Sequence, residues 1–419
     1  MEIRIPYGRS FVTASLPDHI QIDTIKPSIV PAADNPTNEV QTAFDFLLGD
    51  VEFSTFSGAK TVAIAFNDKT RPVPHEHLLP PLMERLERLS IPDDAITFFI
   101  AVGTHPPVVP EDFPAILPPE ILERYKVISH DSEDEDSLKF LGLTPRGNPV
   151  WSRRDFVQSD LKIVVGNIEA HQFVGFSGGV KSAAIGLSGL ETINYNHALM
   201  THPDSILGEY ETNPARQDIE AIGQKMGIDL ALNAILNHQK ELVRALAGAP
   251  VSVMEMGVPL SRELCQVEVT QPYGLVISSP GGHPKDINVY QSQKALSSAV
   301  KITRPGGTII IAAACPEGSG SPHYEDWITG KGSYDEVLEK FQAEGFRIGP
   351  HKAYQFARDT KNARLMFCSE MEDGLAQTLM LNPIKDLQVA VDLALADLQP
   401  GDRVAVLPHA ATTIPYLKN

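Results

Sequence analysis

Three short apolar runs constrain the fold of this chain more than any other feature. They are Thr61 to Phe66 (TVAIAF), Ile96 to Val102 (ITFFIAV) and Leu161 to Val165 (LKIVV). Short stretches this rich in Val, Ile and Phe read as strands buried on both faces of a parallel sheet. Between the first two lies a helical pattern, HLLPPLMERLERLS. Strand, helix, strand is the grammar of a βαβ unit, which demands a parallel sheet with helices on its faces. Glu111 to Ser159 reads as a loop-rich surface excursion, with the acidic run SHDSEDED and one short helix near Pro119 to Arg124. From Ser182 to about Gly248 the pattern predicts mostly helix.

A second unit of the same kind follows. Gly274 to Ser278 reads as a strand, Pro280 to Asp286 as a glycine loop and Val289 to Val300 as a helix. Pro305-Gly306-Gly307 then turns into a strand over Thr308 to Ala314, and Arg403 to Leu407 is one more strand. The expected fold class is α/β, with two domains. Each has a mainly parallel sheet flanked by helices, and the active site is expected in the interdomain cleft. The expected domains are 1–255 and 265–399, with 400–419 as a candidate completion of the first.

Composition excludes several function classes. Lys plus Arg number 35 against 53 for Asp plus Glu, a formal net charge of -18. Most of that surface repels a phosphate backbone, so no nucleic-acid partner is expected, while local sites for small anions stay open. The three cysteines, Cys265, Cys315 and Cys368, show no CxxC spacing and so suggest neither a disulfide framework nor a cysteine zinc site. No apolar run approaches the roughly 20 residues of a membrane span, so no membrane partner is expected. The start, MEIRIPYGRSF, shows no apolar leader, and the expected compartment is the cytoplasm.

Ligands of open parallel sheets bind beyond the carboxyl ends of the strands. The first strand is followed there by Asn67-Asp68-Lys69-Thr70-Arg71-Pro72, the second by Gly103-Thr104-His105-Pro106 and the third by Gly166-Asn167-Ile168-Glu169-Ala170-His171. Each is an ordinary solvated loop taken singly; together they send titratable and anion-binding side chains to one rim. Ser177-Gly178-Gly179 opens into a helix at Lys181, and free backbone N–H groups at such a turn would cradle a phosphate. The P-loop pattern G-x-x-x-x-G-K-[ST] is absent. His197 in NYNHALM reads by itself as a packed histidine, and His202 lacks the i, i+4 spacing of a helical zinc pair. Tyr290, Gln291 and Lys294 share one helix face, which reads either as plain polar surface or as a carboxylate clamp.

Taken in order, FNDKTRPVP, GTH, the H-x₉-K-x₁₅-H spacing of HQFVGFSGGVKSAAIGLSGLETINYNH, and YQSQK resemble the lactate racemase family. The resemblance runs through both domains. It implies racemisation or epimerisation at C2 of a small 2-hydroxy carboxylate, by reversible hydride transfer to a nickel pincer nucleotide holding Ni(II). Lys181 resembles the lysine that carries this cofactor covalently, and His197 the protein ligand of nickel. Imidazole with soft sulfur donors in a tetragonal arrangement suits Ni(II). His105 and His171 resemble the acid/base pair. Arg71 and Lys294 match positions that hold the substrate carboxylate, with Tyr290 and Gln291 lining the same place. Asp68, Ser177, Gly178 and Gly179 match segments near the ribose and phosphate of the cofactor. Cofactor-making and nickel-inserting enzymes are the implied protein partners.

The chemistry explains these residue types. Proton removal at C2 of a 2-hydroxy acid leaves a poorly stabilised carbanion, whereas hydride removal leaves a stable 2-keto acid. A reaction that runs in both hands needs two bases, and imidazole titrates near neutrality. Arg grips a carboxylate bidentately.

The chain departs from the family pattern in two places. Ile185 stands where a proline is expected, and Trp327 and His323 in GSGSPHYEDW have no assigned role. Malate is an alternative substrate, with His75, Lys69, Lys285 and His323 as candidate holders of a second carboxylate, and sugar acids of the gluconate type are another. A nicotinamide-dependent 2-hydroxyacid dehydrogenase would carry a GxGxxG turn followed by an acidic residue, and none is present. A non-catalytic anion-binding protein leaves His105, His171 and His197 without roles.

Overall fold

The computed structural model describes residues 1–69, 71 and 73–418, so Thr70 and Pro72 of the first rim segment lie outside the described residues. The chain divides into two compact units, Ile29–Leu264 and a second made of Met1–Ser28 with Cys265–Asn419.

The Ile29–Leu264 unit is built on a six-stranded sheet. Its order is Leu242–Gly248, Leu230–Leu236, Leu161–Asn167, Val62–Asn67, Ile96–Ala101, Lys126–Ser129. All neighbours are parallel except the edge strand Leu242–Gly248, which runs antiparallel to Leu230–Leu236. Val62 pairs with both Ile96 and Leu161, so the three strands predicted from the apolar runs lie side by side. Val62–Asn67 and Leu161–Asn167 are buried along their whole length, which is why they show no polar alternation. The crossover helix is His75–Arg88; it buries Leu78, Leu79, Leu82, Met83 and Leu86 against Phe66 and Phe98. Each such fully buried side chain contributes about 1.5–3 kcal/mol.

Two expectations in this unit are corrected. Residues 182–248 are not mostly helical: Leu230–Leu236 and Leu242–Gly248 form a hairpin at the sheet edge, turning near Lys240 at φ 68°. LALNAIL and LVRALAG are rich in Leu and Ala, so their propensity favours helix, but pairing with Leu161–Asn167 and burial override it. The excursion after Glu111 holds more order than expected. It contains the predicted helix Pro119–Arg124, the sheet strand Lys126–Ser129, and a hairpin of Leu138–Leu143 with Pro149–Arg153.

The second unit has a six-stranded, wholly parallel sheet. Its order is Pro383–Ile384, Arg364–Cys368, Thr303–Ala312, Tyr273–Ser278, Val404–Leu407, Ile22–Thr24. This topology corrects the expected domain limits. Val404–Leu407 lies between Tyr273–Ser278 and Ile22–Thr24, so the tail completes the second unit and not the first. Residues 1–28 belong here as well. Arg403 pairs with Asp23, and Ile3, Ile5 and Ala14 of the hairpin Glu2–Ser15, with Leu16 just after it, pack on Leu275, Ile277 and Ile310. The predicted boundary between Gly248 and Cys265 is one helix, Pro250–Cys265, and the units divide at its end.

Candidate active site

The carboxyl ends of the Ile29–Leu264 sheet carry an open cavity of about 110 Å3. Asp68, Arg71, His105, His171, Ser177, Gly178, Lys181 and His197 all line it. Its lining comes from this unit alone; Tyr290, Gln291 and Lys294 belong to the other unit, on the helix Val289–Ala299.

Each side chain is placed by a local device. Asp68 follows directly on the strand Val62–Asn67. His105 follows the turn at Gly103, whose N–H donates to Gly186 O at 3.0 Å. His171 sits on a two-residue strand paired with Gly175–Phe176. Gly175 is required there: φ is 72°, and a Cβ would lie 1.7 Å from Glu209 O. Lys181 opens the helix Lys181–Gly186, and His197 lies in the last turn of Leu190–Ala198. Ile185, at the expected proline position, is buried inside an intact helix.

Asp68 was expected near the cofactor ribose, and the structure gives its carboxylate another partner. Its Oδ2 lies 2.7 Å from His105 Nδ1, with the Asp68 side chain 8% exposed and that of His105 54%. A ring that donates Nδ1–H to a carboxylate keeps its lone pair on Nε2, ready to act as a base. His171 Nε2 lies 3.4 Å from Arg71 Nη2, and the N–H groups of Phe173 and Val174 approach Nδ1 at 3.5 Å. A neutral imidazole has one acceptor nitrogen, so these are competing contacts. Phe173 stands edge-on to both His171 and His197, with ring centroids 5.0 Å apart in each case.

Burial pushes the His197 imidazole down to about 3, and the cations of Lys181 and Arg71 push the same way. The ring is therefore neutral, with a lone pair to offer. Burial, then Arg71 and Arg216, hold the Lys181 ammonium well below its usual range, outweighing Glu169 and Asp68. Lowering the pKa of an amine at a cavity wall raises its uncharged, nucleophilic fraction.

Two N–H groups of the expected phosphate cradle have partners within the protein. In the Ser177-Gly178-Gly179 turn the N–H of Ser177 donates to Glu169 O at 2.8 Å, and that of Gly179 to Asn233 Oδ1 at 2.6 Å. Internal bonding has claimed those donors, so they do not point outward. Arg216, buried to 1% exposure, braces the turn by donating to Phe176 O and Gly178 O, each at 3.1 Å, and pairs with Glu220. The Asn213 cap, which accepts from Arg216 N at 3.1 Å, starts the helix Pro214–Met226 that delivers it. Sequence reasoning missed Phe173, and it missed Arg216 and Asn233 because their partners are distant in the chain.

Two of the candidates for holding a second carboxylate, His75 and Lys69, have partners of their own. His75 is buried, donates Nδ1–H to Ile116 O at 2.8 Å, and is driven toward the neutral form by burial. Lys69 faces Asp112 at 3.4 Å. Trp327 donates to Glu344 at 2.7 Å and packs edge-on to Phe341, which is a structural role within the second unit.

Residues 7–208 match the lactate racemase N-terminal domain, and residues 269–414 match the lactate racemase C-terminal domain. The chain belongs to the lactate racemase family. It is an isomerase of the racemase type. Two relatives, both named lactate racemase, come from Thermoanaerobacterium thermosaccharolyticum and Lactiplantibacillus plantarum. Each is 27% identical to this racemase, over 98% of this chain and 98% and 99% of theirs, respectively. The lactate racemase apoprotein structure from T. thermosaccharolyticum superposes with a TM-score of 0.92 at 26% identity, covering 100% of both chains. A Thermotoga maritima protein shares the fold, with a TM-score of 0.66 at 18% identity over 93% of this chain and 100% of its own. Among the described residues, no helix of the racemase is long and apolar enough to cross a membrane.

Proposed function

We propose that the chain racemises a small 2-hydroxy carboxylate at C2, with lactate the first candidate because both relatives bear that name. The observation that carries the reading is the convergence of His105, His171, Lys181, His197 and Arg71 on one cavity. His105 and His171 reach it from different loops, which suits a reaction needing a base for each hand of the substrate. In each direction one imidazole takes the hydroxyl proton and the other returns one. Asp68 steadies the charge that His105 then carries. Arg71 binds the substrate carboxylate, and Tyr290, Gln291 and Lys294 of the second unit are further substrate contacts.

The residues fit the nickel pincer nucleotide that the resemblance implies. A Lys181 amine whose pKa is held below its usual range suits a covalent acyl-type link, and a neutral His197 suits Ni(II). Among the described residues, no group of three His, Cys, Asp or Glu side chains could hold a metal ion, so a metal here draws most of its ligands from the cofactor. Gly178 lines the cavity at φ 98°, where a Cβ would lie 2.6 Å from Ile168 Cγ1, so close packing behind the turn requires glycine there. When bound, the cofactor supplies the acceptor and donor of the C2 hydride. The proposed partners are the enzymes that make this cofactor and insert its nickel, and the proposed compartment is the cytoplasm.

The test is protein made alongside those enzymes. Intact mass and metal analysis should give one covalent adduct and one nickel, both lost in Lys181→Ala. A chiral assay across lactate, malate and gluconate then identifies the substrate. Wild-type racemisation rates in Lys181→Ala would end the proposed scheme.

A further inference from the structure

The start of the helix Pro214–Met226 holds three separate pieces of chain around the cavity. Asn213, its cap, donates Nδ2–H to Phe173 O at 2.8 Å. Arg216 braces the glycine turn ahead of Lys181. Asp218 reaches a third piece. Its carboxylate is 1% exposed and accepts three hydrogen bonds, from Thr144 Oγ1 at 2.6 Å, Asn148 Nδ2 at 2.8 Å and Asn196 Nδ2 at 3.0 Å. Bonds of this number are what make a buried carboxylate tolerable.

Asn196 precedes His197 in the last turn of the helix Leu190–Ala198. Its Nδ2 has two N–H groups, and both are used, one on Asp218 and one on Ala215 O at 2.9 Å. Asn148 Nδ2 likewise bridges Asp218 and Thr192 O, the latter at 3.1 Å. Thr192 and Asn196 stand i, i+4 on the same helix, and both are fully buried. A helix of nine residues has little stability of its own, and helix ends fray. The turn that carries His197 is therefore held by side-chain bonds to its neighbour.

We infer that Asp218 is a positioning residue that fixes the last turn of Leu190–Ala198, and with it the place of the His197 imidazole relative to Lys181. One helix then sets both groups, Lys181 through Arg216 and His197 through Asp218. The nickel part of this inference rests on the functional reading above; the ring placement does not. Asp218 lies 22 residues from Asn196 and 70 from Asn148, and it is not among the residues that line the cavity. Its effect on the site passes through Asn196.

Two measurements test this. The first uses protein without cofactor and follows the edge-on contact of Phe173 with His197, whose ring centroids are 5.0 Å apart, by nuclear Overhauser effects. The contact should weaken in Asp218→Ala. It should return in Asp218→Asn, whose side-chain oxygen still accepts from both amides while its NH₂ turns to the Thr144 hydroxyl. An unchanged contact in Asp218→Ala overturns the inference. The second uses protein made alongside the cofactor enzymes and follows the ratio of nickel to Lys181 adduct during exposure to a chelator. Nickel should leave Asp218→Ala roughly tenfold faster than the wild type, the effect expected of a group behind a metal ligand, with the adduct retained. Asp218→Asn should restore most of the difference. Thr144→Val removes another bond to the same carboxylate without touching Asn196, and its nickel should leave at the wild-type rate. Equal acceleration in Thr144→Val and Asp218→Ala overturns the inference, since a general loss of stability would behave that way. If Asp218→Ala does not fold, Asn196→Leu removes the same bond from the other side and carries both predictions. A wild type with neither adduct nor nickel overturns the functional reading, and the ring contact still decides the placement.

Discussion

Replacing Asp68 by Asn tests the histidine chemistry most directly. The Asp68 carboxylate is 8% exposed and lies 2.7 Å from His105 Nδ1, whereas the His105 side chain is 54% exposed. A hydrogen bond to a charged group is worth about 1.5–3 kcal/mol, and a neutral amide in the same place about half as much. The loss for Asp68→Asn is then about 0.75–1.5 kcal/mol in the transition state, where His105 becomes cationic. At 1.36 kcal/mol per tenfold, that is roughly a four- to twelvefold fall in kcat. Exposure of His105 to water keeps the figure low. Asp68→Ala also removes the orientation of the ring and should cost about a hundredfold. The assay is the initial rate in both directions by chiral chromatography, on protein whose nickel and adduct mass equal those of the wild type. Undiminished rates in Asp68→Ala at equal loading would refute the dyad. A loss confined to cofactor loading would return Asp68 to the ribose contact that the resemblance implies.

Other outcomes follow from the same geometry. Gly175→Ala puts a Cβ 1.7 Å from Glu209 O at φ 72°, so it should cost about 3 kcal/mol or more in thermal or urea unfolding and displace His171. Arg216→Lys keeps the charge but loses the fork that holds Phe176 O and Gly178 O; reduced nickel and adduct content should appear alongside lower stability. His130 is buried and held down to about 4 by desolvation, with Nε2 bonded to Ser188 O at 2.9 Å. Its unfolded value is about 6.5, so the unfolded state binds more protons between about 4 and 6.5, and stability should rise with pH across that window. The contribution is on the order of 3 kcal/mol. His130→Gln, which can still donate to Ser188 O, should flatten the slope in urea titrations; an unchanged slope would place its cause elsewhere.

The parts of the fold legible in the sequence are those whose burial is complete on both faces. Thr61 to Phe66 and Leu161 to Val165 leave no polar alternation, so they read as central strands and are central strands. Leu230–Leu236 is equally central in kind but written in Leu and Ala, and only its partner across the sheet makes it a strand. The membership of residues 1–28 is a purely long-range fact, decided by pairing with Val404–Leu407. At the site, the strand-end rule finds the rim residues, and the resemblance supplies Lys181 and His197. The bonds between side chains follow from tertiary contacts that spacing does not encode. Asp68 on His105 and Arg216 on the glycine turn are both of that sort.

The edge strand Ile22–Thr24 has a consequence for how the protein is made. Its partner side chain Arg403 is 380 residues downstream of Asp23. During synthesis the segment 29–264 has all its sheet strands in hand and can close early, while the strand ahead of it must wait for nearly the whole chain. Until Val404–Leu407 emerges, Tyr273–Ser278 also has a bare edge, a template for pairing with other nascent chains. The late unit therefore sets the pace of maturation and the exposure to aggregation. A fragment of residues 265–418 would lack the hairpin that covers its sheet, so the second unit can be isolated only with residues 1–28 tethered back to it.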